Sequence, residues 1–180
     1  MRLVAELMRN SRRSDRELAK VLGVSQPTVG RAIKKLEKEG VAREYTMIPD
    51  FAKIGFNILS VTFVSWDQGL NAQEYGRVID AGIAFDREKK TSVIMASQGF
   101  GEVQGLMIIS LHETYSDSRE FLKDLGQLPY SERASFRRFM VDLAQSRYRT
   151  LTMSSLTECL EKRVGVEKTD KHRFKTRKNA

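Results

Sequence analysis

The patterning of apolar residues predicts an α+β protein in two parts, on three observations. Residues 2–40 hold three short stretches with apolar residues at helical spacing, bounded by capping residues or glycine. From residue 58 the period switches between 2 and 3.6 in the order strand, helix, strand, strand, helix, strand. Between these, Pro49 to Asn57 follows neither pattern and reads as a connection.

The first stretch places Leu3, Val4, Leu7 and Met8 on one helical face. The second opens at Ser14 or Asp15, both good N-caps, and carries Leu18, Ala19 and Leu22. Gly23 ends it, because a residue without Cβ enters the left-handed conformation cheaply. Ser25 caps the third helix, and Pro27 sits in its first turn, where a missing N–H costs little. Val29, Ile33 and Leu36 line its back, and Gly40 closes it. Thr28, Arg31, Lys35 and Lys38 lie opposite, with Lys34 beside them. An apolar back and a basic front suit the second helix of a helix-turn-helix, offered to a major groove. Val41 to Ile48 predicts a short strand, a wing, on which Arg43 and Tyr45 alternate with Val41. Arg43 and Tyr45 then either touch phosphate and sugar or, for Tyr45, pack on the helices.

In the second part, Ile58 to Ser65 predicts a strand, since Leu59, Val61 and Phe63 alternate with Ser60 and Thr62. Asn71 and Glu74 form a capping-box pattern before a helix carrying Tyr75, Val78 and Ile79. Thr91 to Ser97 predicts the second strand. A loop with Gly99, Gly101 and Gly105 leads to the third, Leu106 to Leu111. A helix starting near Tyr115 to Asp117 buries Phe121, Leu122 and Leu125 before Pro129. Phe136 to Leu143 predicts the fourth strand, with Phe139, Val141 and Leu143 on one face. The order βαββαβ is the ferredoxin-like arrangement. Helices on one face of such a sheet leave the other to be buried by something. Trp66 reads as interface or core. Residues 149–163 predict a short terminal helix with Leu156, Cys159 and Leu160 inward.

The domain reading is therefore 1–48 winged helix-turn-helix, 49–57 hinge, 58–145 ferredoxin-like assembly or effector domain, 146–163 terminal helix, and 164–180 a basic, disordered tail. The net charge of +8 over 180 residues is uneven. Residues 1–60 hold 12 Lys and Arg against 7 Asp and Glu, residues 61–160 hold 11 against 13, and residues 161–180 hold 8 against 3. Both ends are basic and the middle is nearly neutral, which suggests a nucleic-acid partner for the ends. The single cysteine, Cys159, excludes an internal disulfide and a Cys-rich zinc site, and it reads as packed rather than nucleophilic. No apolar run approaches the length of a membrane span, so the expected location is the cytoplasm.

The run from Glu17 to Phe56 resembles the DNA-binding domain of the leucine-responsive/asparagine-activator (Lrp/AsnC) transcription regulators. The matching pieces are Val24-Ser25-Gln26-Pro27-Thr28 at the turn, Leu36 to Val41 (LEKEGV), and Pro49-Asp50 to Phe56 at the hinge. The second half is similar to that family's effector domain in the order of its elements. The resemblance implies a homodimer or larger, because such domains pair their sheets. It also implies a small-molecule effector, such as an amino acid, near a Gly-Asp-x-Asp-like turn. That turn maps to Gly99, Phe100, Gly101 and Glu102. Phe100 stands where an acid is expected, leaving Glu102 as the nearby carboxylate. The plain structural alternative is a β–β connection needing glycine at positive φ.

The residues expected to meet double-stranded DNA are Ser25, Gln26, Thr28, Arg31, Lys34, Lys35 and Arg43. Gln26, Thr28 and Arg31 are the base-edge candidates; Lys34, Lys35 and Arg43 are phosphate contacts. Catalysis finds no support: His112 and His172 are the only histidines, and no triad, metal cluster or phosphate loop is present. No cofactor or metal is expected. The reading is a sequence-specific DNA-binding regulator. Its rivals are a DNA organiser of low specificity, and a small-molecule-binding α+β protein whose winged helix contacts other proteins.

Overall fold

The structure, a computed structural model, describes residues 1–66, 69–89, 91–99, 105–145, 152–153, 156–157 and 159–160. Contacts divide the chain into two units: one contains Met1–Ile48 and the described residues beyond 148, the other begins at Pro49. The first holds α1 (Arg2–Arg9), α2 (Asp15–Leu22) and α3 (Gln26–Lys38). Leu18, Ala19 and Val29 form its core, packed by Leu3, Leu7, Leu22 and Ile33. Ser14 and Glu17 make a complete capping box on α2, and Gly23 takes the left-handed conformation behind it (φ 70°). In α1 the most buried residues are Ala5 and Glu6 rather than the expected apolar set. Glu6 tolerates burial because its carboxylate meets both Arg9 and Arg13.

The second unit runs from a 3₁₀ turn at Ala52–Ile54 into β1 (Ile58–Trp66), α4 (Ala72–Lys89), β2 (Val93–Gly99), β3 (Gly105–His112), α5 (Tyr115–Leu125) and β4 (Ala134–Asp142). The sheet is antiparallel with order β2-β3-β1-β4. Both helices pack on one face: Val78 of α4 and Leu125 of α5 meet Val64, Trp66 and Ile108. Trp66 belongs to this core, its indole N–H donating to the Tyr130 carbonyl at 3.0 Å. Capping boxes start both helices, Asn71 with Glu74 and Thr114 with Asp117.

Over Leu59–Phe63 the alternation on β1 is inverted from the usual arrangement of apolar inside and polar outside, while Val64 and Trp66 further on are apolar on the helix side. Ser60 and Thr62 lie buried beneath the helices, with Ser110 of β3 and Ser118 of α5. The apolar set, Leu59, Val61 and Phe63, faces the other way, so the helix-free face carries a continuous apolar surface. Register places Met95, Ile109, Val61 and Phe139 in one row across it, and Met107, Phe63 and Arg137 in the next. Phe139 is 65% exposed and Phe63 40%.

Three expectations change. Val41 to Ile48 forms no strand; its backbone finds no ladder partner among the described residues. The terminal helical residues do not bury the expected set: Leu156 is 50% exposed and Cys159 exposed, while Thr157 is buried. Gly105 lies inside β3, paired with Gly99, rather than in a loop. A Cβ there would sit 1.9 Å from the Val64 carbonyl oxygen, so only glycine lets these strands close.

Two stability outcomes follow. Gly105→Ala should cost about 3 kcal/mol, the upper end for forcing atoms into a packed site, read as a lower urea midpoint. Ser14→Ala should cost about 1 kcal/mol by losing the α2 cap, read by the helical signal of the N-terminal unit.

Candidate nucleic-acid interface

Helix α3 is set by its back and its two ends. Val29 is buried against Leu18, and Ile33 packs beside it. The helix ends where Gly40 turns left-handed (φ 68°) and the Val41 N–H reaches back to the Leu36 carbonyl at 2.9 Å, a Schellman closure. Near its start, α2 approaches closely: Asp15 Oδ2 would lie 3.2 Å from a Cβ at Gly30. The glycine in mid-helix is the sequence signal for that approach.

With its back fixed, α3 turns Gln26, Thr28, Arg31, Lys34 and Lys35 outward, and all five are exposed. Ser25 and Arg43, flanking the helix, are exposed too. Ser25 does not act as the expected side-chain cap. Its hydroxyl instead lies 2.8 Å from the Thr28 hydroxyl, which fixes the orientation of the Thr28 side chain. The first-turn N–H of Gln26 stays open to solvent-side acceptors, at the positive end of the helix dipole. Lys35 lies 3.7 Å from Glu39, an exposed contact of small worth. Arg31, Lys34 and Lys38 meet no carboxylate at ion-pair distance among the described residues.

Tyr45 is half exposed, and its hydroxyl donates to Glu37 Oε1 at 3.2 Å. Desolvation and this bond raise the phenol's pKa, so it remains a donor. The segment after α3 therefore lies along the helix by a side-chain bond rather than a strand ladder. Arg43 is carried on that segment.

The effector candidates are not brought together in the same way. Gly99 closes β2 opposite Gly105. It does not have a positive φ, so the expected turn strain is not at this glycine. Phe100, Gly101 and Glu102 lie outside the described residues. Among the described residues no group of His, Cys, Asp or Glu is placed to hold a metal ion. No helix among them is long and apolar enough to cross a membrane.

Comparison with known proteins agrees with this geometry. The family model "Winged helix-turn-helix DNA-binding" matches residues 1–43. An uncharacterized HTH-type transcriptional regulator of Pyrococcus horikoshii, PH0061, is 45% identical over 56 residues, or 31% of this chain and 38% of that protein. The matched part thus spans well under half of that relative's length. The Pyrococcus abyssi protein PYRAB04820, similarly described, is 29% identical over 122 residues, covering 68% of this chain and 76% of its own.

Among solved structures, PH0061 superposes with a TM-score of 0.69 at 23% identity, over 85% of this chain and 94% of that one. AsnC of E. coli superposes at 0.63 and 19% identity, over 83% and 93%. The regulator NMB0573 of Neisseria meningitidis, solved with L-Met, superposes at 0.65 and 18% identity, over 85% and 91%. The chain thus carries a winged helix-turn-helix of DNA-binding type at its N-terminus, and its two-part fold is the one shared by these regulator structures.

Proposed function

We propose that this chain is a sequence-specific DNA-binding transcription regulator that works as a homodimer or larger assembly in the cytoplasm. The observation that carries the reading is α3: its back is buried, and its front presents Gln26, Thr28 and Arg31 with the exposed cations Lys34 and Lys35 behind them. In this reading Gln26 and Arg31 read base edges, since Gln pairs with adenine and Arg with guanine. Ser25 positions Thr28, while Lys34, Lys35 and Arg43 hold phosphates and fix the register. No step of catalysis is assigned to any residue.

The apolar face of the sheet supports the assembly. A face carrying Phe63, Phe139 and Met95 in solvent is unusual for a monomer, and a second copy of the same face would cover it. A two-fold dimer would present two recognition helices about 34 Å apart or a multiple of that, matching half-sites of a pseudo-palindrome. An effector bound by the assembly domain would shift which assemblies form and so which sites are occupied. The Neisseria structure solved with L-Met supports an amino acid as the class to try first. Glu102 is the carboxylate offered to its amine, beside Gly99, Phe100 and Gly101.

Two outcomes test these parts separately. DNA selected from a random pool by the wild-type protein should be bound by Arg31→Ala at least about fivefold more weakly, the low end for one bidentate base contact. Its relative loss should be smaller on unselected DNA. Equal affinity for selected DNA, with the dimer intact, would remove α3 from recognition. Phe139→Asp should yield monomers by light scattering with the circular dichroism of a folded chain. A dimer that survives this change would move the interface off the sheet.

A further inference from the structure

The polar cluster beneath α5 has no part in either the DNA-facing surface or the open sheet face. At its centre is His112, the last residue of β3 and 7% exposed. Its Nε2 lies 2.9 Å from the Ser110 hydroxyl, and its ring lies 5.3 Å from that of Phe121 on α5. Arg138 of β4 faces the same cluster. Its Nη1 donates to the carbonyl and hydroxyl of Ser118 at 2.7 and 2.8 Å, and its guanidinium lies 5.9 Å from the centre of the Tyr115 ring. Arg138 meets no carboxylate among the described residues.

The same residue also anchors the chain arriving from the hinge. The His112 carbonyl accepts the Asn57 N–H at 3.0 Å. The Asn57 carbonyl accepts the Leu143 N–H at 2.7 Å, and its side-chain amide donates to the Glu113 carbonyl at 3.0 Å. Asn57 therefore ties the end of the hinge to the last turn of β3 and to the exit of β4. His112 stands under that tie.

We propose that His112 is a proton-operated latch at the base of the hinge: a proton added to its ring loosens the α5–sheet packing around it and releases Asn57. The charges around the ring decide the direction. From β4, Arg138 opposes a second positive charge. From α5, Asp117 favours one, but its carboxylate accepts the Thr114 N–H at 2.9 Å. On the ring's own strand side, Glu113 is exposed. Asp142, across β1, accepts from Ala144 and Gln145. Burial first, and Arg138 second, hold the ring's pKa below its ordinary value, with Asp117 working against them.

The folded-state pKa is thus below the unfolded one near 6.5. The neutral ring's contribution to stability is fully present above about 6.5 and is lost as pH falls toward the folded-state pKa. Closed above neutrality and loosened in mild acid, the latch would uncouple the hinge from the sheet without unfolding the rest.

Amide exchange on the full chain tests this from about pH 7.5 to about pH 5, the range in which a histidine titrates. Rates are corrected for their intrinsic pH dependence. Protection at residues 57–59 and 111–113 should fall by up to about tenfold per pH unit, the limit for one proton. In His112→Gln, which keeps a neutral polar side chain, protection there should stay level across the window. The same fall in both proteins would overturn the proposal. Should His112→Gln not fold, Arg138→Gln serves instead. Its His112 ring resonance should titrate at higher pH than in wild type, and its loss of protection should shrink. An unchanged titration would overturn the proposal equally.

Discussion

The inverted alternation at Leu59–Phe63 of β1 is the constraint on which the second unit depends. A central strand must be buried on both faces, and over Leu59–Phe63 β1 presents the hydroxyls of Ser60 and Thr62 to its own helices and apolar side chains to the outside, before Val64 and Trp66 return apolar groups to the helix side. On the helix side, Ser60, Ser110 and Ser118 are small enough to let α5 approach the sheet closely. Their hydroxyls find partners within the cluster, so their burial costs little. On the open side Phe63 and Phe139 remain exposed, while Leu111 beside Leu59 is buried. Removing a fully buried phenylalanine-sized side chain from water is worth about 1.5–3 kcal/mol. An open face of this kind holds a large share of that energy in reserve for assembly.

The N-terminal unit solves a different problem. Three short helices have little core, and their stability leans on good ends: the Ser14–Glu17 box, left-handed Gly23 and the Schellman closure at Gly40. Those same ends orient α3. Its front is then free of structural duty, which is why the cations there can lack partners without penalty. Ser25 departs from the usual capping role and spends its hydroxyl on Thr28, exchanging a helix-end bond for a fixed side chain on the exposed front.

Most of the fold could be read from residue order because its signals are local. Caps, helical spacing and period-2 strands located all five helices and all four strands that the structure describes. What was missed depends on contacts distant in sequence. The wing failed because alternation at Val41, Arg43 and Tyr45 does not supply a partner strand. Gly105 read as a loop residue because its close approach to Val64 is set by pairing, not by its neighbours. Leu156 and Cys159 read as inward because helical spacing shows a stripe without saying what lies opposite it. The outward placement of the α3 residues was readable, since burying Val29, Ile33 and Leu36 leaves them nowhere else to point. The tie between His112 and Asn57 was not, because 55 residues separate them in sequence.

The most direct test of the regulator reading is footprinting of the purified protein on the DNA upstream of its own gene, with competitor DNA at near-physiological salt. A specific regulator should leave discrete protected patches spaced by helical turns, and the patches should survive competitor. Uniform weak protection that disappears with modest salt would contradict it, and would mark a basic chain held to DNA by its charge alone.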